Sequence, residues 1–162
     1  HIFEQLEPDL KRYGVEFAMV VDPDPVNRPN NEQMDFMHLD TFSMPVGLRQ
    51  IVVCQEEGER RKVSFLARNG GVTREIATGQ TFLEHLKAIG DEVIVLSRAE
   101  QARFGANFLV LDKDRVMVPR DDNQDIIAKL VNAGKEVIHI PLKECTNGYG
   151  AAHCMVAQLS RG

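Results

Sequence analysis

Cys154 follows a loop containing Gly148 and Gly150 and precedes Met155 to Leu159, an apolar run that reads as a short final strand. A rigid scaffold commonly presents side chains to a cleft from such a place. Cysteine attacks as thiolate, a form favoured by a nearby cation, histidine or backbone N–H donor, so Cys154 is a candidate nucleophile. The other reading is a small buried hydrophobe, the commoner fate of a free cysteine. Met34 to Ser43 alternates like a strand, with Phe36, His38 and Asp40 on one face and Met37, Leu39 and Thr41 on the other. An imidazole next to a carboxylate can act as general acid and base. It can equally be a histidine satisfied by a backbone carbonyl, beside an aspartate that belongs to a turn.

Zinc competes for the same residue types, because Cys145, His153 and Cys154 are close in sequence and His139 is not far away. No CxxC or HxxxH spacing occurs, and neighbouring residues of an extended segment point to opposite faces, so His153 and Cys154 converge poorly on one ion. A zinc site is therefore not expected. Asn69-Gly70-Gly71 lacks the context of a phosphate-binding loop and reads as a turn.

The elements that must position these residues show themselves in a repeat of 44 residues, from Gly90 to Gly134. Leu86-Lys87-Ala88-Ile89-Gly90-Asp91-Glu92-Val93-Ile94 matches Leu130-Val131-Asn132-Ala133-Gly134-Lys135-Glu136-Val137-Ile138. Each copy predicts an amphipathic helix ending at a glycine, which enters the left-handed cap without steric cost, and then a β-branched strand. Thr81 and Glu84 stand at capping-box spacing before the first helix, and Asp122 or Asn123 caps the second. Two strands precede each helix: Gln50 to Gln55 and Lys62 to Arg68, then Asn107 to Asp112 and Arg115 to Pro119, the latter pair joined by a tight hairpin at Lys113-Asp114. The unit is strand, strand, helix, strand, over about residues 49–97 and 107–141. A partial copy covers 3–21, where Leu10 to Gly14 leads into a strand over Val15 to Val21. Asp22 to Gln33 and Lys143 to Ala152 read as loops.

A length of 162 residues suits one domain with a core of its own. The formal charge of -5 opposes a sequence-independent grip on nucleic acid, and the one basic cluster, Arg60 to Lys62, reads as a solvated turn. No apolar stretch approaches the length of a membrane span. Three cysteines at irregular spacing and no signal peptide point to a reducing cytoplasm rather than a disulfide framework.

Three elements then combine: Met37-His38-Leu39-Asp40-Thr41, Phe104-Gly105-Ala106-Asn107-Phe108-Leu109, and Asn147-Gly148-Tyr149-Gly150-Ala151-Ala152-His153-Cys154-Met155. In this order they resemble the C-terminal part of arginine deiminases and their relatives in the guanidine-modifying, amidinotransferase-like superfamily. The resemblance implies an α/β pentein fold, a propeller of five strand-strand-helix-strand units around a central site. It implies that Cys154 attacks the guanidinium carbon, that His38 protonates the leaving amine and activates water, and that Asp40 binds the guanidinium. The implied reaction is cofactor-free hydrolysis of L-arginine or a related guanidino compound to a ureido product and ammonia. An amidinotransferase or a non-catalytic pentein-like binding module is the alternative. Two complete repeats and a partial one do not close a five-bladed ring, and the chain begins at His1 rather than Met. The expectation is accordingly a portion of one catalytic domain spanning 1–162, partnered by an N-terminal part of the same enzyme or by self-association.

Overall fold

The computed structural model describes residues 17–21, 38–69, 72–119, 122–148 and 150–156. Nine strands, β1 (Phe17–Val21), β2 (Ser43–Pro45), β3 (Gln50–Cys54), β4 (Lys62–Asn69), β5 (Val72–Thr81), β6 (Glu92–Leu96), β7 (Leu109–Val110), β8 (Arg115–Val118) and β9 (Glu136–His139), form three three-stranded sheets among the described residues. The helices are α1 (Gln55–Arg60), α2 (Phe82–Ala88), α3 (Arg98–Ala102), α4 (Gln124–Asn132) and α5 (Lys143–Thr146).

Two segments share one strand-pairing pattern, with strands assigned differently from the sequence expectation. In one unit β2 pairs antiparallel with β3, and β3 pairs parallel with β6 after the crossover through α2. In the other, β7 pairs antiparallel with β8, and β8 pairs parallel with β9 after α4. The first unit's strand pair is thus β2 and β3. Lys62 to Arg68 belongs to a separate antiparallel sheet, between β1 and β5. Lys62 to Arg68 is a strand as expected, but its partners are β1, which lies within the strand expected over Val15 to Val21, and β5, which the sequence reading missed. The expected turn at Asn69-Gly70-Gly71 includes 70–71, which lie outside the described residues, as do 3–16 of the partial copy and the loop 22–33.

The glycine caps explain why the two copies share a sequence. Gly90 and Gly134 have φ of 81° and 82°, a region that side-chain-bearing residues enter at a cost. Asp91 N bonds Leu86 O, and Lys135 N bonds Leu130 O, each at 3.0 Å. The strand is then launched by Glu92 N on Arg49 O in one copy and by Glu136 N on Asp114 O in the other, at 2.8 and 2.7 Å. Thr81 and Glu84 form the capping box expected of them. Asn123 occupies the cap of α4 without capping it: its Nδ2 donates to Glu100 O at 3.0 Å, a tertiary contact that outweighs the local one.

The core joins both units through Phe42, Val52, Phe82, Leu86, Leu96, Phe108, Val116, Ile126 and Leu130. Each such side chain contributes roughly 1.5–3 kcal/mol on burial. The Arg60 to Lys62 cluster is not a solvated turn. Arg60 ends α1, and Arg61 is 5% exposed, paired with fully buried Glu57 at 2.9 Å and stacked 4.3 Å over the Phe42 ring. The guanidinium is the one cation type that can satisfy a buried carboxylate and an aromatic face together. A second ion pair ties the units: Lys129 of α4 meets Glu100 of α3 at 2.6 Å. Burial alone would raise the Glu100 carboxyl, but Lys129 and the Ser97 cap outweigh it and hold the group below its ordinary value. Among the described residues no helix is long and apolar enough to cross a membrane.

Candidate active site

Two segments far apart in sequence meet at Asp40. The expected strand over Met34 to Ser43 gives way, within its described part, to a 3-10 turn at Leu39–Thr41, with β2 starting only at Ser43. Thr41 causes this: its hydroxyl donates to His38 O at 2.6 Å, and its backbone N–H bonds the same oxygen at 3.2 Å. A threonine that can bond back three residues closes the chain instead of extending it. Strand alternation therefore does not relate His38 to Asp40. His38 is exposed just before the turn, and among the described residues its ring has no hydrogen-bond partner, whereas Asp40 is turned inward.

Cys154 also sits in a turn, spanning Ala152 to Met155, rather than at the mouth of a strand. Met155 N bonds Ala151 O and Val156 N bonds His153 O, both at 3.2 Å. Residues 157–159 of the expected strand lie outside the described residues. The turn corrects the argument that His153 and Cys154 diverge: His153 Nδ1 lies 2.8 Å from Asp40 Oδ2, and Cys154 Sγ donates to the same oxygen at 3.4 Å. Asp40 Oδ1 is buried and has no hydrogen-bond partner among the described residues. A buried carboxylate oxygen left with open acceptor sites is costly, and a cationic N–H donor would satisfy it.

Asn107 completes the cluster and was missed as a functional residue, although its segment, Phe104 to Leu109, was singled out. Its Nδ2 lies 3.0 Å from Cys154 Sγ and 3.2 Å from Asp40 O, and its Oδ1 accepts from Cys154 N at 3.4 Å. The strand expected from Asn107 begins only at Leu109, because 103–106 form a turn that buries Asn107 completely. Cys145 is exposed on the single-turn helix α5, inside the stretch expected to be a loop, and His139 is exposed at the end of β9. Among the described residues no group of three His, Cys, Asp or Glu side chains is arranged to hold a metal ion.

Chemically, the cluster offers a solvent-accessible thiol, an amide N–H aimed at its sulfur, and a carboxylate with one acceptor oxygen unpartnered among the described residues. The arginine deiminase family profile matches residues 26–161, which include His38, Asp40, Asn107 and Cys154. The chain belongs to the arginine deiminase family. No curated protein matches it in sequence. Among solved structures it is similar to SxtG, described as an amidinotransferase from Microseira wollei in the saxitoxin biosynthetic pathway, at 22% identity and a TM-score of 0.52 over 76% of this chain and 33% of that one. It is similar to AgrE, solved as a ternary complex with ornithine and NAD+, at 17% identity and a TM-score of 0.52 over 75% of this chain and 15% of that one. These likenesses show a shared fold. The chain spans a third or less of each of those proteins.

Proposed function

We propose that this chain carries the nucleophilic half of a site that hydrolyses a guanidino compound, L-arginine or a relative, to a ureido product and ammonia. The observation that carries the reading is Asp40 Oδ1, a buried acceptor without a partner among the described residues, beside a thiol that shares Asp40's other oxygen. A guanidinium presents planar N–H donors that suit a carboxylate, and docking one on Asp40 brings its carbon towards Cys154 Sγ.

The thiol loses its proton and the sulfur bonds to the guanidinium carbon. The adduct collapses as a C–N bond breaks and ammonia leaves with a proton, leaving a thiouronium on Cys154. Water then adds to that carbon, giving up its proton to the base, and the C–S bond breaks to return the thiol and release the ureido product. His38, exposed two residues before Asp40, is assigned the acid and base steps by the family resemblance.

The rival is an amidinotransferase, the activity named for SxtG, in which the substrate's alkylamine leaves and a second amine takes the amidino group from Cys154. Rapid-quench mass spectrometry of the enzyme containing this chain, fed L-arginine, tests both readings. Hydrolysis leaves the substrate's carbon chain in the adduct on the Cys154 peptide and yields citrulline. Transfer leaves a bare amidino adduct and turns over only when an acceptor amine such as ornithine is present. No adduct on Cys154 under either condition refutes the proposal.

A further inference from the structure

Asn107 divides its whole amide between two segments that are far apart in sequence. Its Nδ2 touches the sulfur of Cys154 and the backbone carbonyl of Asp40, and its Oδ1 accepts from the backbone N–H of Cys154. The two backbone contacts use the oxygen and one N–H of an amide buried at 0% exposure, and the second N–H goes to sulfur. The contact to Sγ is the one that chemistry can use, because an N–H donor there fixes where the attacking atom sits.

The chain holds Asn107 there at a local cost. Helix α3, opened by the Ser97 and Glu100 capping box, ends at Arg103, and Phe104 then adopts φ of 60°, among the described residues the one non-glycine with positive φ. That conformation costs an L-residue roughly 1–2 kcal/mol and persists only where surroundings impose it. Here they do. Phe104 N bonds Gln101 O at 2.8 Å, Gly105 N bonds Glu100 O at 3.0 Å, and Asn107 N bonds Phe104 O at 3.0 Å. A Cβ on Gly105 would lie 2.7 Å from Glu100 O, so that position admits no side chain. Gln101 Nε2, buried, donates to Thr41 O at 3.0 Å and locks the same segment to the Asp40 turn.

We infer that Asn107 is a positioning residue that fixes the Cys154 sulfur against Asp40 and supplies the N–H that supports its attack, with the Phe104-Gly105 turn built to hold it. The inference rests on Cys154 as nucleophile, and the test reads the thiol directly whether or not a guanidino compound is turned over. N107D keeps an acceptor for Cys154 N and removes the donor to sulfur. N107A removes both.

In the folded chain, the rate of Cys154 alkylation by iodoacetamide at neutral pH is measured by peptide mass spectrometry, with exposed Cys145 as internal reference. The ratio of Cys154 to Cys145 should fall by about tenfold or more in N107D and several-fold in N107A. A ratio that is unchanged or higher in both variants overturns the inference, because then Asn107 only fills space. Should neither variant fold, the wild-type chain decides: methylthiolation of Cys154 should shift the Asn107 side-chain amide resonances in a 15N spectrum, and unshifted resonances overturn the inference. In the guanidino-processing enzyme, N107A should lower kcat while the KM for L-arginine stays within about threefold. A slowed thiol in a protein that processes no guanidino compound would sink the proposed function and leave the role of Asn107 standing.

Discussion

Cys54 and Cys154 have the same side chain and opposite situations. Cys54 ends β3, is fully buried, and packs in the core with Phe42, Val52 and Val53. Burial pushes its thiol above the ordinary value, and neighbouring Glu57 acts both ways, its backbone N–H lowering and its charge raising it. Cys154 lies on an exposed turn with an amide N–H at its sulfur and a carboxylate within 3.4 Å. A thiol in the core is a hydrophobe that happens to contain sulfur. A thiol at the rim with polar partners is a reagent, and what separates the two is desolvation and partners rather than residue type.

The contrast breaks at its widest point if the wrong thiol reacts. In the enzyme containing this chain, Cys154→Ser should cost at least about a thousandfold in kcat, because a hydroxyl is far less ionised and a poorer nucleophile at neutral pH. Cys54→Ala should leave kcat within about twofold. Steady-state kinetics with L-arginine decides, and substantial turnover by the serine variant would mean that the sulfur is a bystander. Asp40→Asn comes next, at roughly a hundredfold in kcat/KM, or about 3 kcal/mol, since it keeps the shape of the carboxylate and removes the charge that a guanidinium would meet. A similar loss with a neutral substrate analogue would show that Asp40 acts through packing alone.

How far the sequence reached into this comparison depended on whether a local rule governed each residue. The 44-residue repeat, the two glycine caps and the Thr81 box were legible because a helix end is decided within a few residues. The origin of the repeat's strand pairs was not, because β4 and β5 interrupt the first unit with a hairpin whose first strand, Lys62–Asn69, reads from sequence as one of the unit's own. The local structure of the site was not legible: strand periodicity related His38 to Asp40, and Cys154 was expected just before a strand, whereas Thr41 and the Ala152 to Met155 turn fold both segments locally and bring Cys154 Sγ within 3.4 Å of Asp40. Asn107 carries no motif of its own. Its signal was Phe104-Gly105, a bulky residue followed by a glycine where a strand was expected, and only three-dimensional contacts turn that oddity into a functional side chain.

A smaller effect sharpens the Cys54 side. Cys54→Ser trades a core thiol for a hydroxyl in a cluster of Phe42, Val52, Phe82 and Leu96, at the N-cap of α1 where the Glu56 and Glu57 backbone N–H groups face it. Those donors offset the burial of the hydroxyl, so the midpoint of urea unfolding should move by less than about 1 kcal/mol, whereas Cys54→Ala, which leaves them without a partner, should cost about 1–2 kcal/mol. The same serine exchange at exposed Cys145 should leave the midpoint unchanged within about 0.5 kcal/mol.

The smallest expected effect is on alkaline stability. Because burial raises the Cys54 thiol in the folded chain, the folded state holds this proton to a higher pH than the unfolded chain does. Above the unfolded value of about 8.5 the unfolded state binds fewer protons, so the slope of stability with pH is negative. The contribution is complete below that pH and fades as pH rises through the higher folded value. Wild type should therefore lose stability above about pH 8.5 faster than Cys54→Ala, in which this proton is absent. Urea midpoints for both proteins across that range measure the difference. Parallel curves would mean that water or local opening reaches Cys54 in the folded state, and the contrast with Cys154 would then rest on hydrogen-bond partners alone.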